Sequence, residues 1–438
     1  MKRIIPYLGI FALALSVRAG HINNLAGYDH EPPGRSECEI AASSVSRGGP
    51  LGNIFVADSG PSAHLAPLYP WLLGQVYRIE GCTSPQSRTH QETLVTIVTC
   101  LGICLIPLLG RQAGLKPAAG WLTAFVVSVF PCNELFETSG DHEQPFVTVG
   151  LSLLLLAFIR LHEVGWRSPL RISIAAVLMG VLALAGPTLM GVAALLVAAE
   201  FMTQQGNRKQ VLIGALVIAA TTTAILFPWA YRNHRELGGW VWTRSNFGLE
   251  LAIGNNSKAT GYTYHPQFFE LHPVSSKNQQ QEYLRLGELE YVRSRGAVAK
   301  AWIRDNPGAF IRLTVVRAEL YCFPPHEFVT WDSKQGLIAY VTAFLSLGTI
   351  AGLLGLFRVN HPYRWLFLAT IVGFALPHLI THVEGRYRYP LFGLSVLLTV
   401  DFLCRIVSWF FKGAANPLPL NSVRPTRGPT VSSSGTLS

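Results

Sequence analysis

The stretch Arg364–Lys412, "RWLFLATIVGFALPHLITHVEGRYRYPLFGLSVLLTVDFLCRIVSWFFK", is two long apolar runs divided by a short polar insert. Each run approaches the ~20 apolar residues that a helix needs to cross a hydrocarbon core. The insert, "HVEGRYRYPL" at 382–391, places two arginines and a glutamate beside them. Ionisable groups so near hydrocarbon are costly unless something uses them. The same alternation continues through the chain, with apolar segments at 4–18, 93–110, 117–131, 145–160, 171–186, 188–203, 210–230, 337–357, 364–380 and 390–411. Half of the 438 residues are apolar and only 14% are charged. A soluble domain would carry roughly a quarter. The expected fold class is therefore an all-α polytopic membrane protein with about ten transmembrane helices.

The net charge of +10 would suggest nucleic acid if the charges were not so placed. Twelve basic residues lie in short segments on one side: Lys2, Arg3, Arg111, Lys116, Arg160, Arg167, Arg171, Arg208, Lys209, Arg358, Arg364 and Lys412. The short loops on the other side hold only Arg386 and Arg388. Segment 132–144 there has no basic residue, but holds Glu134, Glu137, Asp141 and Glu143. The positive-inside rule makes the first side cytoplasmic. The basic excess encodes topology, and no nucleic-acid partner is expected. The protein is placed in the cytoplasmic (inner) membrane, multi-pass, with its large loops on the periplasmic or extracellular side.

Two segments, 19–92 and 231–336, are too long and polar to be connectors. Six spans separate them, an even number, so both belong to the outer face. Within the second, the run from Ser275 to Phe323 reads as two amphipathic helices. Asp305-Asn-Pro307 would break the first and cap the next. One transmembrane domain covers 1–412, and 413–438, rich in Pro, Ser, Thr and Gly, is expected to be a disordered cytoplasmic tail. Val17-Arg-Ala19 loosely fits a signal-peptide cleavage rule, but a retained first span is the preferred reading. Cys38 and Cys82 share the first outer loop and could pair in an oxidising compartment, although nothing requires it.

Four outer stretches carry the candidate chemistry. "LFPWAYRNHRELGGWVWTRSNFGLELAIGNN" at 226–256 places Arg232, Asn233, Arg244 and Asn246 just beyond a span. An aromatic belt with a snorkelling arginine would look similar. "SGPSAHLAPLYPWLL" at 59–73 holds His64, and "LGELEYVRSRGAVAKAWIRDNPGAFIRL" begins at Leu286. "HVEGRYRYPL" holds His382, Arg386, Tyr387 and Arg388. Taken in order and topology, these stretches resemble the bacterial membrane glycosyltransferases of the GT-C fold. That superfamily includes the protein O-mannosyltransferases and the aminoarabinose transferases of lipid A.

The resemblance implies a GT-C-like helical bundle whose two outer loops carry short amphipathic helices. It implies transfer of a sugar from a polyprenyl-phosphate donor to an acceptor at the outer membrane face, with inversion at the sugar carbon. The other expected partners are membrane lipids and an acceptor that is lipid, glycan or protein. It also implies a carboxylate early in the first loop as general base, taking the acceptor hydroxyl's proton. "GRSECEIAASSVSRGG" offers Glu37 first and Glu39 second, with Asp29 third, but lacks the family's usual Asp-Glu pair.

Arg386 and Arg388 would hold the donor phosphate, because the planar guanidinium fork donates two hydrogen bonds to phosphate oxygens. Two residues apart in an extended stretch, they would face opposite ways, and Arg388 is preferred as the one nearer the final span. Tyr387, His382, Arg232, Asn233, Arg244, Asn246 and His64 complete the expected substrate-binding set. No cofactor is expected. His378, His382 and Glu384 could bind a divalent metal, but imidazoles beside a sugar phosphate more often donate hydrogen bonds. His64, His265 and His272 show no ligand spacing and read as surface or substrate-contact residues. The rival readings are a transporter or lipid flippase, which needs polar residues deep in the spans, and a non-catalytic scaffold, which would leave the two arginines idle.

Overall fold

The computed structural model describes residues 4–25, 36–82, 84–130, 137, 143–263, 266–324 and 334–414. It is all-helical, with no strand among the described residues and isolated bridges at Gly52–Pro61 and Tyr262–Val383. Every apolar segment of the sequence is a helix. Five are long and apolar enough to cross a membrane: Gln86–Gln112, Gln144–Glu163, Gln205–Leu237, Ala339–Arg358 and Gly385–Phe411. Five shorter apolar helices accompany them: Ile5–Gly20, Pro117–Val129, Pro169–Ala185, Thr188–Thr203 and Arg364–Ile380. The chain is a multi-pass membrane protein.

Small residues let these helices approach closely, as is usual where lipid supplies no hydrophobic drive for association. At Gly373 an added Cβ would lie 2.9 Å from Val192 Cα, on the helix Thr188–Thr203. The first helix extends to Leu25, beyond the expected end at residue 18. Its Arg18 is buried against Glu137 at 2.5 Å and donates to the carbonyls of Val127 and Ser128. A charge inside the bundle is thus paired, as hydrocarbon demands.

The two long loops pack on each other and therefore share one face. Arg232 donates to the carbonyls of Ser62 (2.9 Å) and Leu51 (2.8 Å). Buried Glu288 accepts from the backbone of Ala63 and the hydroxyls of Ser245 and Tyr283. Segment 275–323 forms three helices where the sequence suggested two: Lys277–Leu286, Glu288–Asp305 and Pro307–Cys322. The extra break falls at Gly287, whose φ of +74° is open to glycine and strained for other residues. Pro307 does open the third helix, but Asn306 does not cap it. Its side-chain amide turns back to the Trp302 carbonyl at 3.0 Å.

Cys38 and Cys82 are both free thiols. The tail beyond Ala414, like Asp29 and His265, lies outside the described residues.

Candidate active site

On the loop face, both long loops and the 382–391 insert surround one cavity of about 610 Å³. That volume lies within the ~300–1,000 Å³ typical of ligand pockets. Glu37 enters from the first loop, Arg244, Asn246, Glu250 and His272 from the second, and His382, Arg386 and Tyr387 from the insert. Gly191, Phe374 and Pro377 line its apolar depth between two membrane helices.

Local structure decides which first-loop acid faces this cavity. Ser36 is the N-cap of helix Glu37–Ser46 and accepts from the Glu39 amide, while the Glu39 carboxylate accepts from the Ser36 amide. This capping box turns Glu39 back into the protein. There it meets Arg88 at 2.7 Å and Gln91 at 2.9 Å, 1% exposed. Glu37, two residues earlier and on the opposite helical side, projects into the cavity. Its carboxylate lies 3.5 Å from His64 Nε2 and 3.8 Å from His272 Nε2. Burial raises the pKa of Glu37, but His64 and then His272 outweigh burial and hold it well below the usual carboxylate range.

A second carboxylate faces it. Glu250 accepts from the Asn246 side chain at 2.8 Å and lies 3.4 Å from His382 Nε2. Burial again works against the charge, and His382 and His272 prevail, so the Glu250 pKa is lowered. His272 and His382 are themselves lowered, chiefly by burial, despite the nearby carboxylates. His382 Nε2 also reaches the Tyr387 hydroxyl at 3.2 Å, and the Tyr387 ring stacks on His378 at 4.3 Å.

The two insert arginines part ways. The segment Gly385–Leu391 is a 3₁₀ helix, not an extended strand, and at three residues per turn positions two apart still diverge. Arg386 lines the cavity, 2.9 Å from Glu384. Arg388 points behind it and donates to the carbonyls of Tyr321 (2.9 Å) and Cys322 (3.1 Å). The preference for Arg388 as the phosphate ligand thus falls on the arginine whose donors already hold a helix end.

The other expected residues divide in the same way. Arg244 and Asn246 line the cavity, and Arg244 also holds the His64 carbonyl at 2.9 Å and Glu143 at 3.3 Å. Arg232 and Asn233 do not line it. Arg232 clamps the first loop over Trp229, and buried Asn233 donates to the Val241 carbonyl at 2.9 Å. His64 is buried and reaches the site through Glu37.

No protein-family model and no curated protein sequence matches the chain. Solved structures do match. Archaeal oligosaccharyltransferase AglB from Archaeoglobus fulgidus, with an inhibitory peptide and a dolichol-phosphate, aligns at a TM-score of 0.53 and 14% identity. The alignment covers 95% of this chain and 52% of that one. An Archaeoglobus fulgidus oligosaccharyltransferase tethered with an acceptor peptide aligns at 0.54 and 16% identity, covering 93% and 50%. With zinc and sulfate it aligns at 0.53 and 14% identity, covering 94% and 50%. This chain shares their fold over nearly its whole length. It spans about half the length of these neighbours.

Sequence spacing did not reveal the grouping of Glu37, His64 and His272, which this fold draws from three separate stretches. Their ligand atoms all lie within 4.8 Å of one another. One carboxylate and two imidazoles are a donor set that divalent zinc or a similar cation accepts. The grouping considered from the sequence, His378 with His382 and Glu384, is not the one the fold assembles. Glu250 and Glu143 were also missed as site residues. Glu250 stood in view within "RSNFGLEL", four residues after Asn246 and so on its helical face.

Proposed function

We propose that the protein is a membrane glycosyltransferase that moves a sugar from a polyprenyl-phosphate donor to an acceptor hydroxyl or amide at the outer face of the cytoplasmic membrane. About ten spans carry the cavity, and the donor's lipid portion descends beside Gly191, Phe374 and Pro377. One observation carries the reading: a carboxylate of the first loop and a guanidinium of the last meet in a cavity that opens from the loop face toward the spans. The fold it shares with oligosaccharyltransferase structures supports it further.

The chemistry follows from those groups. The acceptor heteroatom attacks the anomeric carbon opposite the donor oxygen, and the carbon–oxygen bond to phosphate breaks. Configuration inverts, lipid phosphate leaves, and Arg386 compensates its charge as it departs. Glu37 as general base receives the acceptor's proton.

A second role for Glu37 is favoured by its surroundings. With His64 and His272 it forms a ligand trio. Among the described lining residues, four carboxylates (Glu37, Glu143, Glu250, Glu384) face two guanidiniums (Arg244, Arg386). With neutral imidazoles that leaves two negative charges, before a donor phosphate adds more. A divalent cation at the trio would offset them and polarise the acceptor.

A transporter needs free charged groups deep within the spans. The buried charges there are engaged instead: Arg18 with Glu137, Glu200 with His162 and Trp166, and Asp401 with Arg405. The deciding experiment incubates purified protein in nanodiscs with a panel of radiolabelled polyprenyl-phosphate sugars and envelope acceptors. Transfer to an acceptor from at least one donor is expected. Absence of transfer from the whole panel, with the protein instead moving labelled lipid between leaflets, would sink the proposal.

A further inference from the structure

The segments that carry the cavity's catalytic groups are held by a residue that never touches the cavity. Arg317, in the helix Pro307–Cys322, is 0% exposed. Its guanidinium donates to the carbonyls of Leu379 (3.1 Å) and Ile380 (3.0 Å), to the Gly254 carbonyl, and to Asn255 Oδ1 (3.0 Å). These acceptors are the ends of two helices, Phe247–Gly254 and Arg364–Ile380. A helix end leaves carbonyls unpaired and carries partial negative charge, so one buried guanidinium satisfies both ends at once. Burial lowers the Arg317 pKa only to about 10, which leaves it charged at neutral pH.

The two ends lie against each other. An added Cβ at Gly254 would fall 1.8 Å from the Thr381 carbonyl oxygen, so only glycine allows this approach. Asn255 completes the joint by donating to the Ile380 carbonyl at 3.0 Å. The chain then passes directly to the site: Glu250 is one turn before Gly254, and His382 is two residues after Ile380. The distance between Glu250 and His382, and so the position of Arg386 across the cavity, depends on how these helix ends are joined. Arg388 fixes the C-terminal end of Arg317's own helix, Pro307–Cys322, through Tyr321 and Cys322.

We infer that Arg317 is a positioning residue for sugar transfer, setting the separation between the Glu250 wall and the Arg386 wall of the cavity through the joint at Gly254 and Ile380. The inference rests on the glycosyltransferase reading of that cavity. A lysine at 317 can satisfy one helix end but not both, because its ammonium lacks the rigid fork. Misplacement of about 1 Å in a reacting constellation can cost on the order of a hundredfold in rate.

The test compares Arg317→Lys and Arg317→Gln with Arg312→Lys, a control at an exposed position of the same helix. Hydrogen exchange followed by mass spectrometry and steady-state transfer are measured on each in nanodiscs. Faster exchange in Arg317→Lys is expected at 247–256 and 379–387 and not in the spans. The kcat should fall roughly a hundredfold, with acceptor KM changed less than threefold, and the lysine variant should retain more activity than glutamine. Arg312→Lys should match wild type. Uniformly faster exchange with normal kcat per folded molecule would reduce Arg317 to a stability residue and overturn the inference. Localised exchange together with an inactive wild type would instead refute the glycosyltransferase reading and leave the joint standing.

Discussion

Arg386→Ala is the substitution that bears hardest on the proposed chemistry. The guanidinium lines the cavity but already lies 2.9 Å from Glu384, a residue 5% exposed. A charge-assisted hydrogen bond contributes about 1.5–3 kcal/mol, or roughly 10- to 150-fold in donor affinity. Because Glu384 shares the guanidinium, the lower end applies, and a loss of about tenfold is expected. Arg386→Lys keeps the charge without the fork and should fall between wild type and alanine. Removing the arginine also strips buried Glu384 of this guanidinium, so Glu384→Gln/Arg386→Gln serves as the control for a stranded carboxylate. Arg388→Ala should act differently. It deprives the Tyr321 carbonyl of this donor, which costs about 1–3 kcal/mol of stability for a buried group left unpaired, while the Cys322 carbonyl keeps the Ser346 hydroxyl at 2.6 Å. Its donor affinity per folded molecule should change less than threefold. The assay is equilibrium binding of a labelled polyprenyl-phosphate sugar in nanodiscs, alongside thermal unfolding. If Arg386→Ala binds donor like wild type and Arg388→Ala loses tenfold, the phosphate lies behind the insert and the argument fails.

A cysteine placed at Ser276 should react with a membrane-impermeant thiol reagent in intact cells, and labelling only after lysis would reverse the topology. Chelation should abolish transfer and added divalent cation should restore it, with Glu37→Gln weakening cation binding by more than the 10–100-fold typical of an outer-shell partner. Activity indifferent to chelators would return Glu37 to the role of general base. His382 is held neutral by burial, its pKa lowered from 6.5. The unfolded chain therefore binds the extra proton first, and this contribution is complete above about pH 6.5 and lost as pH falls through 6.5 toward the folded value. Thermal stability should decline on acidification below that point by at most about 1.4 kcal/mol per pH unit for this group, and His382→Gln should flatten the slope.

The spans were legible because apolar clustering is a one-dimensional property. All ten segments read from the sequence are helices, and the shared face of the long loops followed from counting them. Errors arose where one residue's backbone decided the outcome. Gly287 looked like part of a continuing amphipathic pattern, yet its positive φ ends a helix there. Asn306 had the chemistry of a cap and the position for one, but its amide found the preceding helix's carbonyl first.

The site was legible only as far as each side chain's direction could be read from its own neighbours. Glu37 and Glu39 are two residues apart on a helix, so one had to face away from the cavity, and the Ser-x-x-Glu spacing of Ser36 and Glu39 marks which. That signal was present in "SECE" and assigns the inward role to Glu37. The same geometry separates Arg386 from Arg388, but nothing local says which faces inward. The answer depends on the carbonyls of Tyr321 and Cys322 at a helix end, more than sixty residues earlier in the chain. His64 and His272 show the limit most plainly. They lie over two hundred residues apart, and only the clamps of Arg232, Arg244 and Glu288 on the first loop bring them to one carboxylate. A ligand set distributed in this way has no spacing to detect, so its residues are recognisable only once the two loops are known to share a face.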